Sequence, residues 1–210
     1  LRSFKAVDAI ETTVRYLERR FNFESDVSGT GYVMRSLDFD KVGGIPKFES
    51  LFFSDDALWI LMTEGRYKAA DSNELYAVRL HSNSESASNP SIWRKLVVSL
   101  EQFNHFLVDY IKRDEQTKNI YEKDAERFFL ENFRNIYIYA LVEASISNKR
   151  IDPDVILVIQ KALLICAPKS SDQLGKTLKL KILVSLNSSQ LRGFIPFFWG
   201  IYRALQEKLR

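Results

Sequence analysis

A single cysteine, Cys166, among 210 residues leaves no internal disulfide to staple the fold and no set of thiolates to hold zinc. Only two histidines are present. His81 sits in a serine-rich stretch and His105 on the polar flank of a helical pattern, so a histidine-based triad or metal site would need both from distant places. No apolar run approaches the roughly 18 residues that span a bilayer, and no signal-peptide pattern is found. These absences predict a reducing compartment, cytoplasmic or nuclear, no transmembrane segment and no cofactor.

Against these absences stands a hydrophobic content of 46%, far from the polar composition of a disordered chain and enough for one sizeable core. The sequence starts at Leu1 and stops at Leu209-Arg210 inside a helical pattern, which reads as a compact unit excised from a larger protein. The net charge of +3 hides a gradient: residues 1–105 carry 13 basic and 15 acidic groups, residues 106–210 carry 17 and 12.

Periodicity predicts a mainly α fold. Phe4, Val7, Ile10, Val14, Leu17 and Phe21 recur at helical spacing. Glycine pairs then bracket 32–39, and a small β-hairpin pairing 32–39 with 47–53 is one reading of that stretch. Ser54-Asp55-Asp56 resembles a helix start and Gly65 a stop; a helix and a buried strand both remain open for 57–64. A short helix is expected at about 73–80, followed by a polar loop over 81–90.

Beyond the loop, Trp93, Leu96, Val97, Leu100, Phe103, Leu107, Tyr110 and Ile111 trace one stripe behind a Ser91 cap. The segments 119–147 and 155–167, the second opened by Asp152-Pro153, are apolar on most sides, which predicts that they form the centre of the fold. Leu178, Leu180, Ile182, Val184 and Leu186 alternate as in a strand, but the helical context favours helix for 177–186. A last helix starts near Ile195. The expected architecture is an antiparallel bundle, or a short helical-repeat-like array, of about seven helices. It divides into an N-terminal helical subdomain (1–90) and a C-terminal one (91–210).

No motif carries chemistry. Gly175-Lys176-Thr177 lacks the leading glycine of a phosphate loop, where Ser170 stands, and a helix rather than a strand precedes it. The carboxylates Asp38, Asp40, Glu49, Asp55, Asp56 and Glu64 could hold Mg²⁺ for a hydrolase, but helix N-termini and turns account for them. The expectation is a non-enzymatic protein-interaction or assembly domain, a scaffold or adaptor binding another protein or subunit. Its anchor candidates are Trp59, Phe197, Trp199 and Arg203, because aromatic and arginine side chains dominate interface energetics. The alternative is a nucleic-acid-binding module using Lys176, Lys179, Lys181 and Arg192 on the basic C-terminal face.

Overall fold

The structure is a computed structural model that describes residues 10–24, 33–49, 51–69 and 92–197, without the side chains of Leu178 and Lys179. Within them the chain forms β1 (Ile10–Glu11), α1 (Thr13–Phe21), α2 (Ser36–Lys41), α3 (Ser54–Thr63), β2 (Lys68–Ala69), α4 (Ile92–Tyr110), α5 (Glu115–Ile146), α6 (Pro153–Cys166) and α7 (Leu178–Ser188). Short 3₁₀ turns occupy Ile111–Arg113, Pro168–Gln173 and Gln190–Phe194. The fold is mainly α with one small antiparallel strand pair, β1 to β2.

The long helix α5 organises the rest. The Asp114 carboxylate accepts a hydrogen bond from the Thr117 amide at 2.9 Å, capping the first turn. From there the helix runs about 48 Å at 1.5 Å per residue, and α1, α4, α6 and α7 all pack on it. Phe128, Phe129, Phe133 and Leu141 are fully buried along its length. The expectation that this helix is surrounded by protein holds. One contiguous core joins residues from both sides of the 81–90 stretch.

Part of that core is an aromatic cluster centred on Phe128. Phe128 meets the rings of Phe21, Phe53, Phe103 and Phe129, and the Arg20 guanidinium lies 5.2 Å from its ring centre. Phe53 takes a left-handed backbone conformation, φ 63°, which costs a bulky residue roughly 1–2 kcal/mol. Its ring stacks on Phe103 at 5.5 Å, which offsets that cost.

Three local expectations change. Where a hairpin was one reading, the described residues 33–49 form α2 followed by a turn instead, because Gly43 and Gly44 (φ 80° and 79°) close a helix C-terminus, with the Gly44 amide donating to the Phe39 carbonyl. The strand pair lies elsewhere: Ile10 and Glu11 pair with Ala69 and Lys68, so the first helix starts at Thr13, behind a Thr12 cap. Ser54 is the first residue of α3, not its cap, a place held by left-handed Phe53. The two ambiguous segments resolve as helix, over 57–63 within α3 and over 178–186 within α7. Ser91, the short helix at 73–80, the loop at 81–90 and most of the last helix lie outside the described residues.

Candidate protein-interaction surface

Helix α6 departs most from its sequence pattern. Asp152 caps it, accepting from the Asp154 amide, and Pro153 fills the first turn. Its inner face is conventional: Ile159, Ala162, Leu163 and Cys166 are buried, against α4 and α5. Its outer face is not. Leu157, Val158, Leu164 and Ile165 are each between 46% and 57% exposed. The helix is therefore not enclosed at the centre, as its all-round apolar character implied; α4 and α5 cover one side, and these four side chains face outward.

By the 100° step per residue the four positions and Lys161 span roughly 120° of arc. They form one strip. An apolar strip of this width on a helix is ordinarily buried against another element.

The anchor candidates scatter. Trp59 is only 5% exposed, because α3 is wedged against α1 and α4 with Ala57, Leu58 and Ile60 buried beside it; it is core, not an anchor. Phe197 is 63% exposed. Trp199 and Arg203 lie outside the described residues.

The basic candidates are partly occupied. Lys176 pairs with Asp172 at 2.5 Å, which holds the Asp172 carboxyl below its usual range. The Arg192 guanidinium donates to the carbonyls of Ser189 and Asn148 at 3.0 and 3.4 Å. Lys181 is exposed on α7, and the Lys179 side chain lies outside the described residues. Thr177, third in the Gly-Lys-Thr run, caps α7.

Nor do the carboxylates gather. Asp38 is held by Arg35 and Arg66, at 3.0 and 2.6 Å, and the Arg66 hydrogen bond keeps its carboxyl below the usual range. Asp56 accepts from Tyr16 at 3.0 Å and pairs with Arg20. Among the described residues no three His, Cys, Asp or Glu side chains are placed to share a metal ion.

Two shallow clefts open among the described residues. One, of about 230 Å³, lies between the start of α4 and the α5–α6 turn, lined by Trp93, Arg94, Glu143, Lys149 and Arg150. Burial pushes the Glu143 carboxyl up, although the Trp93 indole donates to it and Arg94 lies near. The other, of about 220 Å³, lies between Arg20, Leu51, Phe53 and Leu96. Both fall below the roughly 300–1,000 Å³ usual for small-molecule sites. Cys166 offers no nucleophile: burial, with Glu101 nearby, pushes its thiol up to about 12, so the thiolate is scarce at neutral pH.

The signal of this face in the sequence is the apolar excess of α6, more than its one covered side uses. No family model matches the chain, and neither a curated protein nor a solved structure matches it.

Proposed function

We propose that this chain is a non-enzymatic protein-interaction or assembly domain whose docking surface is the outer face of α6. One observation carries the reading: Leu157, Val158, Leu164 and Ile165 stay about half exposed on a helix whose opposite face is fully packed. Covering the exposed half of four such side chains contributes roughly 3–6 kcal/mol before the costs of association. That is the scale of a modest, reversible contact. Another helix laid along the strip would supply the cover.

The test is selection of amphipathic helical peptides on the wild-type domain, followed by titration against a Leu157→Asp, Leu164→Asp variant. Because both positions are exposed, the variant keeps its circular dichroism and melting temperature. Selected peptides are expected to bind it at least tenfold more weakly, as roughly 1.4 kcal/mol of lost contact dictates. Peptides that bind both proteins equally would place docking elsewhere. Salt-labile binding of nucleic acid, lost on Lys181→Glu, would favour the basic face instead.

A further inference from the structure

We infer that the partner for the α6 face is a second copy of this chain, paired about a two-fold axis; this rests on the reading of that face as a docking surface. The argument lies in where its charges fall. At 100° per residue, Leu157 and Leu164 form one apolar row and Val158 and Ile165 a second. Asp154 and Lys161 lie between the rows, about 10.5 Å apart along the axis. Both are exposed, and neither has an ion-pair partner among the described residues.

An acid and a base seven residues apart on the midline of an apolar face are complementary to themselves. Two copies of α6 packed antiparallel, with the axis between residues 157 and 158, set Asp154 of each copy against Lys161 of the other. In the same register Leu157 meets Val158 of the second copy, and Leu164 lies over Ile151, in the turn before the Asp152 cap. Sliding the axis to residue 161 would set the two Lys161 side chains against each other. The charges thus select one register, in which Leu157 and Val158 of the two copies make the central apolar contact.

Sedimentation equilibrium over micromolar to millimolar concentrations tests this on wild type, Lys161→Asp, Asp154→Lys and the double exchange. Wild type is expected to dimerise reversibly. Each single reversal creates two like-charge contacts per dimer and weakens association about tenfold or more. The double exchange restores it, and an equimolar mixture of the two single variants forms a heterodimer. A wild type that stays monomeric, a dimer indifferent to both reversals, or a double exchange that fails to recover would each overturn the inference.

The two readings fail separately. A monomeric wild type whose selected peptides still require Leu157 and Leu164 keeps the docking surface and loses the homodimer. Peptides that ignore those residues remove both. A monomer destabilised by Leu164→Asp also removes both, since another segment of the same chain then covers the face.

Discussion

Two regions of this molecule reverse the usual placement of side chains, in opposite senses. Around α1, charge is inside: Glu11 is buried and paired with Arg19 and with Lys68 at 2.5 Å, while Asp56 takes Arg20 and Tyr16. On α6, apolar side chains are outside. The first arrangement is closed, since each carboxylate has a counter-ion within the fold, and it therefore offers a partner little. The second is open, since its surplus stays exposed in the fold.

The comparison breaks most sharply at Glu11. Glu11→Gln leaves Arg19 and Lys68 without their buried counter-ion and is expected to cost about 3–5 kcal/mol in urea unfolding. A loss under 1 kcal/mol would mean that the network is solvated. Phe128→Ala, which empties the centre of the aromatic cluster, is expected to cost about 3 kcal/mol or more, read from the same transition.

A smaller effect concerns Glu143. Its carboxyl is raised by burial, so the fold binds the proton more tightly than the unfolded chain. That contribution to stability is full below the ordinary value of 4.5 and is lost as pH rises from there through the folded value. Glu143→Gln should therefore be at least as stable as wild type at pH 7, with its advantage shrinking as pH falls through the raised folded value to about 4.5. Urea melts across pH 4–7 that run parallel for the two proteins would contradict this.

The smallest effect sharpens the contrast. Leu164→Asp, on the open face, should shift the stability of the monomer by no more than about 0.5 kcal/mol, as for other exposed positions. Thermal melts at low concentration measure it.

Most helices were legible because their signals are local. Asp152-Pro153 marked the start of α6, and the stripe from Trp93 to Tyr110 marked α4. The strand pair was not legible, since Glu11 and Lys68 meet across nearly sixty residues and each strand is only two residues long. Trp59 was misjudged as an anchor because an indole looks the same in sequence whether it faces solvent or a neighbouring helix. The α6 surface was half legible: its four apolar positions were plain, their exposure was not.

Helical periodicity and caps alone determined that this chain is mainly α and where α4, α5 and α6 run, because backbone hydrogen bonding and side-chain spacing act within a few residues. Which apolar faces are covered depends on how many neighbours each helix has. Only the tertiary structure decided that, surrounding α5 with four helices and leaving α6 covered on one side.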